Sequence, residues 1–245
     1  VAAIQFAAEY AQKKHGGCGI TLGGIQNAES ARVVIVGGGV AGISAAQVAI
    51  GMGAQVTILE KISTQVTSLK KMFQGKPVSI VDTSNCGIEE HIKGAHVLVG
   101  ATLRSGARAE HVISKEQVLL TAVGAVIVDI SIDQGGCIWG SQPTTHEKPI
   151  FMKEGRVYCC VTNIPGQFPL QSTPALTEKT IPYILMIARE GIEQALFKDR
   201  GFGKGLNTWQ GYITNQVIAE NLQMKKMYKN PYKIVEEYLR NRIVA

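Results

Sequence analysis

The run Gly37-Gly38-Gly39-Val40-Ala41-Gly42 constrains this chain more than any other feature. It follows directly on residues 32–36 (RVVIV), a continuous apolar stretch of the kind that forms a strand buried on both faces of a parallel sheet. It leads into ISAAQVAIGMG, an Ala-rich helix closed by Gly51 and Gly53. Strand, G-x-G-x-x-G and helix in that order make a dinucleotide-binding turn. In such a turn Gly37 permits the tight bend, Gly39 lets the backbone approach a pyrophosphate, and Gly42 lets helix and strand pack closely. The phosphates would rest on free N–H groups at the positive end of the helix dipole. The next strand, residues 55–59, ends at Glu60, which lies 18 residues past Gly42 and is placed to accept hydrogen bonds from both ribose hydroxyls. Its charge would repel the additional phosphate of NADP, so NAD is the expected cofactor, with Lys61 and Lys70 as the opposing charges.

The same alternation continues along the chain. Residues 78–81, 96–99 (HVLV), 125–130 (AVIVDI) and 157–161 (VYCCV) read as strands, with helices near 88–93 and 115–120. Strands separated by helical stretches predict an open, doubly wound parallel α/β sheet of Rossmann type. Ahead of it, residues 1–14 have helical spacing with Ile4, Ala7, Ala8 and Ala11 on one face, and HGGCGITLGG (15–24) is a Gly-rich loop. The texture changes after about residue 170. Residues 173–191 read as a long helix that Pro182 should kink, and helices are expected at 215–222 and 231–242. The expected organisation is a nucleotide-binding domain over 1–169, including the leading helix, and the helical part of an incomplete second domain over 170–245.

Composition narrows the function classes. The net charge is +6, but six basic and two acidic residues between 224 and 245 hold +4 of it, leaving +2 for the other 223 residues. That distribution offers no basic surface of the kind nucleic acid needs. No apolar run approaches the ~18 residues of a membrane helix. The five cysteines are odd in number and lack a C-x-x-C pair, so reduced thiols in a cytoplasmic protein are expected. The start, VAAIQFAAEYA, lacks the basic n-region of a signal peptide, and its first residue, Val rather than Met, suggests a truncated or processed chain. No cluster of His, Cys and carboxylates has metal-ligand spacing, so no metal is expected.

Beyond the glycine turn, the sequence resembles the alanine dehydrogenase family, which also includes the NAD(P) transhydrogenase alpha subunit. The resemblance is carried by GGCGITLGG, AIGMGAQVTILE, VIVDISIDQGGC (126–137), QPTTHEKP (142–149), YCCVTNIPG (158–166), STPALTEKTIPY (172–183) and KGLNTWQG (204–211), from residue 1 to about 222. Asp133 before Gln-Gly-Gly resembles the dehydrogenase, where the transhydrogenase subunit typically has Glu. The resemblance implies reversible oxidative deamination of L-alanine to pyruvate and ammonia, with hydride passing to NAD, in a homohexamer. It implies an adenosine side formed by Val40, Ala41, Glu60 and Ser84, and a nicotinamide ribose bordered by Thr102 and Leu103. It further implies that Ile130, Ser131, Ile132 and Asp133 lie beside the nicotinamide, with Val161, Thr162, Asn163 and Ile164 facing it. Asp133 matches the family's catalytic aspartate, and a carboxylate there can hold the attacking water or ammonia and share in proton transfer. A helix N-cap or loop anchor beside two glycines is the alternative for Asp133, as a turn residue is for Asn163.

Four departures bear on these expectations. Gln142 stands where the family commonly has Arg, Cys18 where it has Arg, Ile164 where it has Met, and Arg104-Ser105-Gly106 in a loop that usually carries Pro. The family's upstream third, which supplies the Arg and Lys that grip the substrate carboxylate and a proton-transferring His, is expected to be absent. Of the histidines present, His15, His91, His96 and His111 read as ordinary residues and His146 as a loop-ordering one. A non-catalytic NAD-binding remnant and one part of a split enzyme remain the alternatives.

Overall fold

The computed structural model describes residues 1–84, 87–102 and 111–243, without the side chains of 200 and 241–243. They fall into two compact units, one ending at Gln167 and the other beginning at Phe168. The first opens with α1 (Ala2–Tyr10) and a 3-10 turn, then continues β1 (Arg32–Val36), α2 (Val40–Gly51), β2 (Gln55–Glu60), α3 (Ser63–Met72) and β3 (Val78–Asp82). After these come α4 (Glu89–Ile92), β4 (Val97–Gly100), α5 (Lys115–Leu119), β5 (Val126–Asp129), β6 (Ile150–Lys153) and β7 (Arg156–Cys159).

Seven strands form one sheet in the order β3-β2-β1-β4-β5-β7-β6. Every pairing is parallel except that of β6 with β7. This is the doubly wound α/β sheet of the Rossmann type. The chain runs outward from β1 on one side and returns to β4 on the other, so the C-terminal ends of β1 and β4 flank a crevice where ligands of such sheets bind.

The central strands are apolar along their whole length because both faces are covered. Val33, Ile35, Val56, Ile58, Val97, Val99, Val126 and Val128 meet α1 and α2 on one face. Those helices present alanines (Ala3, Ala7, Ala11, Ala45, Ala46, Ala49), whose small side chains bring the helices close to the sheet. Val34, Val36, Leu98 and Ile127 meet Ile92, Ile113, Val118 and Ile138 on the other face.

The structure departs from the periodicity in three places. Helix α2 begins at Val40, with Gly39 as its N-cap, so the last part of the glycine run is already helical. No strand is expected at β6, which enters the sheet through a two-residue Glu154-Gly155 hairpin with both residues at positive φ (49° and 70°). The second unit holds α6 (Pro169–Glu190), α7 (Ile192–Lys198), α8 (Arg200–Gly203), the two-residue strands β8 (Thr208–Trp209) and β9 (Tyr212–Ile213), α9 (Gln216–Asn221) and α10 (Pro231–Ile243). Its small core is Leu196, Ile234 and Val235, and α7, α8 and the β8–β9 pair are short elements that the expected long helices did not include.

One buried cation ties strand β7 to the turn before β5. Arg156 is 7% exposed, and its guanidinium donates to the carbonyls of Leu119 (2.8 Å), Thr121 (2.7 Å) and Glu154 (2.6 Å) and to Thr121 Oγ1 (3.2 Å). Arg156→Met keeps the aliphatic stem but orphans these acceptors. It is expected to lower unfolding free energy by about 2–4 kcal/mol in urea titrations.

Candidate functional site

The glycine turn is closed by contacts that admit no side chain at two positions. Gly37 sits at φ +103°, and a Cβ there would lie 2.6 Å from the carbonyl oxygen of Ala101. A Cβ on Gly42 would lie 1.9 Å from the carbonyl oxygen of Gly37, so strand and helix reach this separation only with glycine. Gly39 differs, because a Cβ there would meet nothing within 4 Å. The first turn of α2 therefore opens onto free space, with Val40 86% exposed and Ala41 also exposed. The open position, the close-packed ones and the unblocked helix N-terminus together fit a pyrophosphate.

Glu60 closes the turn from the side. Its Oε2 accepts from the Gly38 N–H (2.8 Å), and its Oε1 accepts from the N–H groups of Lys61 (2.8 Å) and Ile62 (2.9 Å). Gln65 Nε2 donates to the Gly38 carbonyl at 2.7 Å, so residue 38 is gripped from both sides. A carboxylate has about four acceptor positions, and these three donors leave it capacity for a ligand hydroxyl. Asp82, paired in register with Glu60 across β2 and β3, places a second carboxylate on the next strand end. Asp82 accepts from the Oγ and the N–H of Ser84, which chiefly hold it below the usual carboxylate range, and from Ser63 Oγ.

On the other side of the crevice three strand ends meet. Ile130, Ser131, Ile132 and Asp133 form a 3-10 turn (Ile130–Gln134) directly after β5. Ser131 Oγ donates to the Thr102 carbonyl at 2.5 Å, joining this turn to the end of β4. Asp133 is exposed, and its Oδ1 accepts from the Asn163 N–H at 3.3 Å. Asn163 stands at φ +51°, and its carbonyl accepts from the Gly166 N–H and from His146 Nε2 (3.2 Å). Thr144 pairs with Val161 through backbone bonds to Cys160 and Thr162. Asp133, Asn163 and His146 are thus brought together, and Thr162 and Ile164 flank them. The side chains of Val161 and Ile132 point into the two cores, so only their backbones border the crevice. Gln142 is exposed, whereas Cys18 hydrogen-bonds Gly124 at the opposite, N-terminal edge of the sheet. Leu103 lies outside the described residues, as do Arg104, Ser105 and Gly106.

Sequence reasoning missed Asp129. This carboxylate is fully buried at the end of β5. It accepts from the N–H groups of Ser131 (3.0 Å), Cys137 (2.8 Å) and Ile138 (3.0 Å), from Ser141 Oγ (2.7 Å) and from Cys137 Sγ (3.5 Å). The signal was available, since a strand apolar on both faces cannot end in a carboxylate unless donors surround it. Nearby thiols are driven up. Burial and the Asp129 charge push Cys137 and Cys160 to about 11, and burial with the Cys160 charge pushes Cys159 to about 12. Among the described residues, no cluster of three His, Cys, Asp or Glu could hold a metal ion, and no helix is long and apolar enough to cross a membrane.

Residues 3–216 match the family model described as alanine dehydrogenase/PNT, C-terminal domain. The chain is 39% identical to alanine dehydrogenase 2 of Staphylococcus aureus (strain USA300) over 236 residues, 96% of this chain and 62% of that protein. Among solved structures it is similar to an L-alanine dehydrogenase, with a TM-score of 0.79 and 34% identity over 91% of this chain and 61% of the other. A transhydrogenase from Sinorhizobium meliloti shares the fold, with a TM-score of 0.56 and 19% identity over 65% of this chain and 46% of that one. The chain spans about 62% of the length of the curated relatives it matches.

Two measurements test this geometry without a ligand. Gly42→Ala is expected to cost at least about 2 kcal/mol of stability by overpacking, and Gly39→Ala less than about 0.5 kcal/mol, in paired urea titrations. Iodoacetamide at about pH 8 should leave Cys137, Cys159 and Cys160 unmodified in the folded chain and label all three in denaturant, as read by peptide mass mapping. The ordinary thiol value is 9.0, so the stability these thiols lend is whole below that pH and is lost as pH rises toward 11 and 12.

Proposed function

The chain belongs to the alanine dehydrogenase/PNT C-terminal domain family, and we propose that it holds NAD for the reversible oxidative deamination of L-alanine to pyruvate and ammonia. The observation that carries this reading is the turn itself. Space is open above Gly39, close packing makes Gly37 and Gly42 obligatory, and Glu60 is fixed at the adjoining strand end. When bound, NAD supplies the hydride acceptor. The N–H groups of Gly39, Val40 and Ala41 bind its phosphates, Glu60 receives the adenosine ribose, and Ser84 lies on the adenosine side. Thr102 borders the nicotinamide ribose, and residues 130–133 and 161–164 form the nicotinamide side.

Asp133 is the group for proton transfer. Its Oδ1 is oriented by the Asn163 N–H, and its exposed carboxylate retains acceptor positions for the water or ammonia that adds to the substrate carbon. As imine and carbinolamine interconvert, that carboxylate takes up and returns the proton of the adding molecule. His146, bonded to the Asn163 carbonyl, orders the segment that orients Asp133. The unit beginning at Phe168 is assigned to the substrate domain. The protein is assigned to a cytoplasmic homo-oligomer, a hexamer by resemblance.

Preference for NAD over NADP follows from two neighbouring carboxylates, Glu60 and Asp82, at the end of the sheet where the 2′-phosphate of NADP would sit. Fluorescence titration of the 245-residue chain should give saturable NADH binding and NADPH binding weaker by roughly tenfold or more. Glu60→Gln should narrow that ratio, and an unchanged ratio would remove Glu60 from the discrimination. L-alanine-dependent reduction of NAD, followed at the NADH absorbance band, tests the reaction. Asp133→Asn should lower its kcat by roughly 10²–10⁴-fold with NADH affinity held. NADH binding with no L-alanine-dependent reduction would retain the cofactor and withdraw the deamination.

A further inference from the structure

We infer that Asp129 is a positioning residue for the nicotinamide half of the site, setting that half independently of the adenosine half. The inference rests on the NAD reading above and adds a residue that neither contacts the crevice nor belongs to the glycine turn.

The carboxylate works as a hub. Its five donors all come from residues 131–141, the segment that carries Asp133. Asp133 is suspended between two anchored points, the Ser131 N–H before it and the Cys137 N–H after it. The anchor then passes outward. Ser131 donates its Oγ to the Thr102 carbonyl at the end of β4, and Asp133 accepts from Asn163 beyond β7. The ends of β4, β5 and β7 are therefore coupled through one buried anion.

The surroundings close tightly around the hub, and two glycines make room for it. A Cβ on Gly100 would lie 2.5 Å from Cys137 Sγ and 3.1 Å from Asp129 Oδ1, and one on Gly136 would lie 3.0 Å from Asp129 Oδ2. Gly135 and Gly136, at φ +102° and +82°, turn the chain back around the carboxylate. None of the hydrogen bonds described for Asp129 reaches Gly37, Gly38, Gly39, Glu60 or Ser84. The adenosine half takes its side-chain hydrogen bonds from Glu60 and Gln65, and it adjoins the end of β4 through the backbone, where the Ala101 N–H donates to the Val36 carbonyl.

Asparagine cannot replace this carboxylate. Every group facing it is a donor, so in either orientation the NH2 of an amide in its place would point at a buried N–H or hydroxyl. The turn that places Asp133 would have to move, and the loss should appear where the nicotinamide binds.

The test compares two probes on the 245-residue chain: NADH, and ADP-ribose, which lacks the nicotinamide. Calorimetry and fluorescence should show NADH binding tighter than ADP-ribose. Asp129→Asn should weaken NADH by roughly tenfold or more and leave ADP-ribose within about twofold. Ser141→Ala removes a single partly exposed donor and tests the same selectivity where Asp129→Asn does not fold. Its NADH loss should be smaller, with ADP-ribose again unchanged. Unaltered affinity for both probes in the folded variants would overturn the inference. So would equal weakening of both alongside a lowered Tm, the mark of a merely structural role. A parent chain that binds neither probe, or binds them equally, would instead overturn the NAD reading and this inference with it.

Discussion

The turn from β1 into α2 brings the Cα of Gly42 so close to the Gly37 carbonyl that a Cβ there would lie 1.9 Å from its oxygen. The same close approach runs through the layer above, where alanines on α2 and α1 pack over β1, β2, β4 and β5. A larger residue at 42 would lift the first turn, open the alanine layer and tilt the N–H groups of Val40 and Ala41 away from the crevice. Packing and binding geometry are thus fixed by the same missing side chain.

Both sides of the crevice also meet the polar requirement in the same way. A strand covered on two faces has no water to solvate its end, so each buried carboxylate there must collect donors from the chain that follows. Glu60 collects three N–H groups at the end of β2, and Asp129 collects three N–H groups, a hydroxyl and a thiol at the end of β5. In each case the loop is shaped around the anion. The difference lies in exposure. Asp129 has spent its acceptor capacity internally, while Glu60, at the edge of the turn, keeps some for a ligand.

The sheet was legible because β1, β4, β5 and β7 centre on short apolar runs, β2 and β3 keep most positions apolar, and helical stretches separate the parallel strands. The start of α2 was less so. Glycines at 37–39 suppress the helical signal up to the residue that caps the helix. Strand β6 carried no signal, being an edge strand with Met152 half exposed and a Glu-Gly turn in place of the usual Asn-Gly or Asp-Gly. Helices α7 and α8, of seven and four residues, are too short for their apolar positions to repeat as a pattern. In the crevice, the glycines and Glu60 stood out by type and spacing, residues 130–133 and 161–164 were expected from the family resemblance, and the couplings among them were not legible. Nothing in the spacing of 133, 146 and 163 says that one backbone unit, Asn163, serves both Asp133 and His146.

The separation between the two networks has an energetic meaning. Ordering a flexible loop on binding costs affinity, and a turn already held by internal hydrogen bonds avoids that cost. Here the adenosine side is held by Glu60 and Gln65 on residue 38, and the other side by Asp129 on the segment 131–141. Each half carries its own side-chain hydrogen bonds, and the two adjoin at the backbone, where the Ala101 N–H donates to the Val36 carbonyl and the Gly37 N–H to that of Leu59. Glu60 then acts twice through a single carboxylate. It satisfies the N–H groups that shape the turn, and, with Asp82 beside it, it makes the same position unfavourable for a second phosphate. Neutralising it would loosen the turn and remove the repulsion together, so a change of cofactor preference at this position is coupled to the integrity of the fold.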